Sequence, residues 1–138
     1  MAQTKEPPRM ETARIAMRDQ TTVLLVDDED ALRSTLANEL TNEGFKVKEA
    51  ADGDIAIDLV KKEDFDLILL DIKMPHVDGF EVLKFVKSHH PATKVIMLTA
   101  FGDMQNAIQS LKLGASDFAS KPYDFHDLLA TMARAMSK

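Results

Sequence analysis

The acidic run Asp27-Asp28-Glu29, the later Asp71, Thr99 and Lys121 are the residues of this chain whose types could do chemistry together. Like charges at contact repel and raise one another's pKa, so a cluster of Asp27, Asp28 and Asp71 needs a compensating cation. A hard divalent ion resolves the conflict. Mg2+ takes oxygen ligands, keeps several waters and is often held by one or two carboxylates plus a phosphate. Lys121 adds a second positive charge able to face a phosphoryl oxygen, and Thr99 adds a hydroxyl donor. Carboxylate, metal, lysine and hydroxyl are the parts of a phosphoryl-transfer site in which positioning and charge neutralisation carry the catalysis. As the middle carboxylate, Asp71 is the candidate acceptor, forming an aspartyl phosphate.

The same residues exclude other ways of handling phosphate. A dinucleotide or flavin domain needs a Gly- or Ser/Thr-rich turn whose N–H groups cradle the anion, and Asp27-Asp28-Glu29 would repel it. No Walker lysine motif is present. A dehalogenase-type phosphatase carries a second Asp two residues after its nucleophile, where this chain has Lys73. With no cysteine there is no disulfide framework, Cys-ligated zinc or thiol nucleophile. Seventeen Lys and Arg against 23 Asp and Glu give a formal net charge of −6, the wrong sign for a generic nucleic-acid binder. The opening MAQTKEPPRM lacks the apolar core of a signal peptide, and no apolar run approaches the ~20 residues of a spanning helix. The expectation is a soluble, cytoplasmic, acidic domain with no membrane partner and no direct nucleic-acid binding.

The 138 residues suffice for one core. Residues 1–20, with Pro7-Pro8 and many charges, read as a flexible N-terminal extension, and 21–138 as the folded domain. From residue 21, two patterns alternate. Short apolar runs (Val23–Val26, Leu67–Leu70, Val95–Leu98) and two mixed ones (Lys46–Glu49, Ser116–Ala119) predict five strands. Between and after them, Asp30–Leu40, Ile55–Val60, Phe80–Val86, Asp103–Leu113 and a segment opened by Asp124 predict five helices. Ile55, Ala56, Leu59 and Val60 are expected inward. Such alternation means a parallel sheet covered on both faces. The wholly apolar first, third and fourth strands belong in the centre, and the mixed second and fifth at the edges. Right-handed crossovers then leave the order 2-1-3-4-5. Ligands of such doubly wound α/β folds bind beyond the strand C-termini at the switch point, here between the first and third strands. Asp27-Asp28, Asp71, Thr99 and Lys121 stand at those strand ends.

Taken in that order, Asp27-Asp28, the Asp71 of Leu70-Asp71-Ile72-Lys73-Met74-Pro75, Gly79, Thr99-Ala100 and Lys121-Pro122 resemble the receiver domain of two-component response regulators. The resemblance covers about residues 21–138 and is nearest to receivers of the NtrC type or their stand-alone relatives. It implies a flavodoxin-like, CheY-like fold and a phosphoryl group passed to Asp71 from a sensor histidine kinase or phosphotransfer protein. Asp28, Asp71 and the Lys73 backbone carbonyl would ligate Mg2+, with Asp27 acting through a metal-bound water. Lys121 would contact the phosphoryl group and join Pro122 by a cis bond. Thr99 would move toward the phosphoryl oxygen, small Ala100 would leave access, and Phe118 would swing inward as the switch aromatic. The last two helices and the fifth strand would present the surface that a partner, an output domain or a second copy reads. Phe118 lacks the hydroxyl of the tyrosine frequent there, and bulky Phe101 is expected to hinder an attacking water.

Two rival readings differ in class. A Mg2+-dependent phosphatase on the same sheet lacks its acid at Lys73. A receiver that binds without phosphorylation would not be expected to keep Asp27, Asp28, Asp71, Thr99 and Lys121 together. The expected role is a switch and not a turnover enzyme, either stand-alone or cut from a longer regulator.

Overall fold

A computed structural model describes residues 21–100 and 102–137. The expectations for residues 1–20 and for Phe101 lie outside the described residues. Five strands and five helices alternate: β1 (Thr22–Val26), α1 (Asp30–Asn42), β2 (Lys46–Ala50), α2 (Gly53–Lys62), β3 (Leu67–Asp71), α3 (Gly79–His89), β4 (Lys94–Thr99), α4 (Met104–Lys112), β5 (Asp117–Ser120) and α5 (Phe125–Met136). The sheet is wholly parallel in the order β2-β1-β3-β4-β5, as its composition predicts.

Why this order holds is visible in the burial. Val23–Val26, Leu67–Leu70 and Val95–Leu98 are completely buried, because helices cover both faces of the three central strands. Alternate residues serve opposite faces. Val23, Leu25, Leu67, Leu69, Ile96 and Leu98 pack with Leu36 and Leu40 of α1 and with Leu128, Leu129 and Met132 of α5. Leu24, Val26, Ile68, Leu70, Val95 and Met97 pack with Ala56 and Val60 of α2 and with Val82, Leu83 and Val86 of α3. Each such side chain contributes about 1.5–3 kcal/mol when withdrawn from water. The lysines of β2 stay exposed at one edge.

Helix ends follow their sequence signals. Asp52, Asp78 and Asp124 cap α2, α3 and α5 by accepting from the N–H three residues on. One expectation fails. Ile55 is 43% exposed, because α2 begins at Gly53 and buries the stripe Gly53, Ala56 and Val60, which turns Ile55 outward.

Register positions the site. Val26 pairs with Leu70, Asp71 with Leu98, and Thr99 with Ser120. The residues just past those pairs, Asp27 and Lys121, are thereby aligned with Asp71 and Thr99 along one edge. Three bonds extend the ladder there: Asp27 N–H to the Ala50 carbonyl, Ile72 N–H to Leu98 and Lys121 N–H to Thr99. Behind Asp71 the chain folds back so closely that a Cβ on Gly79 would collide with the Asp71 carbonyl oxygen. Glycine at this position lets α3 start against the end of β3.

Candidate functional site

Asp27 ends β1 only 1% exposed. Its Oδ1 accepts from the Glu29 N–H at 2.9 Å and its Oδ2 from the Lys121 ammonium at 2.9 Å. Asp71 is 8% exposed; its Oδ1 accepts from the Lys73 N–H at 3.3 Å and its Oδ2 faces Lys121 Nζ at 3.4 Å. Asp28 stands exposed at the rim. Asp27, Asp28 and Asp71 each bring a carboxylate oxygen within 4.8 Å of the others. One ammonium therefore serves Asp27, Asp71 and also Glu29, at 3.4 Å.

The electrostatics follow from this imbalance. Burial, reinforced by the charges of Asp27 and Asp28, raises the Asp71 carboxyl to about 6 against the pull of Lys121. Burial disfavours the Lys121 ammonium, but its hydrogen bond to Asp27 and the charges of Asp71 and Asp27 outweigh burial and hold its pKa above the ordinary lysine range. The donor set fits a hard divalent cation: carboxylate oxygens alone, with neither sulfur nor imidazole among them.

The other expected residues are placed unevenly. Thr99 closes β4 at the same edge, 2% exposed. The Lys121–Pro122 bond is cis. The Lys73 side chain turns away to Asp103 at 3.5 Å, leaving its backbone at Asp71. Phe118 is half-buried on β5 against the α2/α3 cluster. Two contributors, Arg33 and Tyr123, escape a reading of motifs. Arg33 donates to the Asp27 carbonyl at 2.7 Å while bridging Asp30 and Glu49, each at 3.0 Å. Glu29 shares Lys121, and Tyr123 sits beside it. Arg33 lies four residues after Glu29 on α1, a spacing that returns its side chain to the loop, so helical periodicity alone carried that signal. Cavities flank the site: one of about 420 Å³ beside Lys73, Pro75 and Asn106, and one of about 380 Å³ between Leu32, Ala100, Lys121 and Tyr123.

A doubly wound sheet with a carboxylate cluster and a shared lysine at its switch point defines a class of acidic-site α/β proteins. The family described as the response regulator receiver domain matches residues 23–133. The chain is 37% identical over 114 residues to the regulatory protein AtoC of Escherichia coli, covering 83% of this chain and 25% of AtoC. It is 39% identical over 116 residues to the transcriptional regulatory protein TcrA of Mycobacterium tuberculosis, covering 84% of this chain and 46% of TcrA. Among solved structures, the receiver domain of NtrX from Brucella abortus superposes with a TM-score of 0.80 at 31% identity, covering 84% of this chain and 98% of that one. CheY4 of Vibrio cholerae superposes with a TM-score of 0.78 at 32% identity, covering 84% of this chain and 98% of that one. The chain belongs to the response regulator receiver domain family, whose members are signalling switches, and its fold is CheY-like. It spans between a quarter and a half of the length of the two curated relatives. Among the described residues, no helix is long and apolar enough to cross a membrane.

Proposed function

We propose that residues 21–138 act as a phosphorylation-driven receiver in which Asp71 is the acceptor, with Asp27, Asp28, Thr99 and Lys121 as its working partners. The observation that carries this reading is the crowding of Asp27, Asp28 and Asp71 around a single lysine. An Asp71 oxygen attacks the phosphorus of a phosphohistidine on a sensor kinase or phosphotransfer protein. The P–O bond forms as the P–N bond breaks, and the departing imidazole nitrogen takes up a proton. Asp28, Asp71 and the Lys73 carbonyl would hold Mg2+, with Asp27 acting through water. When bound, the ion supplies neutralisation of the phosphoryl charge. Lys121 faces one phosphoryl oxygen, and the Thr99 hydroxyl donates to another.

The domain works as a switch and catalyses only its own phosphorylation. Its output surface is α4-β5-α5, where movement of Thr99 and Phe118 is felt. Met104, Ile108 and Leu111 support this assignment, because they expose an apolar stripe on α4. The stripe suits a downstream protein, a linked output domain or a second copy of the phosphorylated chain. The acidic balance supports protein contact over direct nucleic-acid binding.

Acetyl phosphate with Mg2+ tests the reading by intact mass. The chain gains one phosphoryl group that hydroxylamine removes, as expected of an acyl phosphate, whereas Asp71→Ala gains none and chelation of the metal abolishes the gain. Equal labelling of Asp71→Ala would sink the assignment.

A further inference from the structure

Past the cis Lys121–Pro122 bond, Tyr123 packs its ring against the α1/α5 core. Among the described residues, its hydroxyl is the buried side-chain polar atom without a hydrogen-bond partner. Burial, and then the negative charge of Asp27, push this phenol up to about 12, so it stays a neutral O–H donor at ordinary pH. The charges of Lys121, Glu39 and Glu29 act on it as well. A buried donor left unsatisfied is costly, and such groups persist where another state of the protein uses them.

Asp27 is the buried acceptor that shares Lys121 with Asp71. Its Oδ1 is occupied by the Glu29 N–H and its Oδ2 by Lys121, and the residue is almost fully buried. A phosphoryl group on Asp71 carries more negative charge than the carboxylate it replaces, so it draws Lys121 away from Asp27. Oδ2 then loses the Lys121 ammonium. We infer that Tyr123 is a positioning residue: its hydroxyl moves onto the Asp27 oxygen that Lys121 releases, and so frees the lysine for the phosphoryl group. The cavity of about 380 Å³ lined by Lys121, Tyr123, Leu32 and Ala100 gives the two side chains room to shift. This inference rests on the reading of Asp71 as the acceptor.

Tyr123 is the single tyrosine of the chain, which has no tryptophan, so intrinsic emission reports on this hydroxyl alone. Phenol emission is quenched when the hydroxyl donates to a carboxylate. Mg2+ with beryllofluoride should therefore quench the emission of the full chain and leave that of Asp71→Asn unchanged. Tyr123→Phe should melt cooperatively without ligand and bind beryllofluoride about tenfold more weakly, the effect of one hydrogen bond to a charged group. If beryllofluoride leaves the melting temperature of the parent chain unmoved, the acceptor reading fails. If the parent responds but its emission does not change, or Tyr123→Phe binds equally well, the role of Tyr123 fails while the acceptor reading stands.

Discussion

The two edges of the sheet solve opposite problems. At the N-terminal edge polar groups are matched. Asp66 Oδ2 accepts from the Thr22 N–H and hydroxyl, at 2.9 and 3.1 Å, and Thr22 Oγ1 accepts from the Asp66 N–H at 3.0 Å. The Thr93 hydroxyl donates to the Phe65 carbonyl at 3.0 Å, and Lys87 holds the Pro91 and Thr93 carbonyls at 3.0 and 2.9 Å. At the C-terminal edge, Asp27, Asp71 and Glu29 compete for Lys121, and the hydroxyl of Tyr123 goes unpaired. The same parallel sheet thus ends in a satisfied network on one side and a charge surplus on the other. A satisfied network stabilises the fold; a surplus of negative charge lowers stability until a cation offsets it.

Substitutions that separate the two edges test this contrast. Lys121→Met should have the largest effect, since it strips the buried Asp27 of its ammonium. A loss of about 3 kcal/mol is expected in urea unfolding without metal, with a sizeable part restored by millimolar Mg2+. A loss that Mg2+ leaves untouched would argue against a cation site.

Asp71→Asn should act in the opposite direction. The folded pKa of Asp71 is raised, to about 6, so its contribution to stability is fully present below its unfolded value near 4 and is lost as pH rises through 6. The variant should therefore gain on the parent across that window, by about 1–2 kcal/mol at pH 7.5 once screening at the open edge is allowed for. Chemical denaturation of the metal-free pair from pH 4 to pH 8 checks the sign, and a stability difference that does not change with pH would contradict it.

Thr93→Val, at the matched edge, should cost only about 1 kcal/mol by leaving the Phe65 carbonyl without its side-chain donor. Because that network holds no surplus charge, Mg2+ should not alter the cost. Rescue by Mg2+ would erase the distinction between the edges.

Much of this arrangement is written locally along the chain. Val23–Val26, Leu67–Leu70 and Val95–Leu98 lack polar residues, so they can only be central, and the lysines of β2 can only be at an edge. Once that order is settled, Asp27, Asp71, Thr99 and Lys121 fall at the same edge, since each follows or ends a strand of a parallel sheet. Ile55 went astray because its inward reading depended on where α2 begins, and Gly53 starts the helix earlier than the apolar spacing implied. Arg33 and Tyr123 went unseen because neither is a motif residue; their importance lies in partners brought from elsewhere in the chain.

The order of strands, their burial and the list of chemically able side chains were thus settled by amino-acid order, because hydrophobic periodicity is a local property of the backbone. How one ammonium divides itself among three carboxylates, and why a tyrosine hydroxyl is left without a partner, depended on the folded chain. Those facts arise from distances of a few ångströms between residues far apart in sequence, such as Asp27 and Lys121, which only the packed sheet and its register establish.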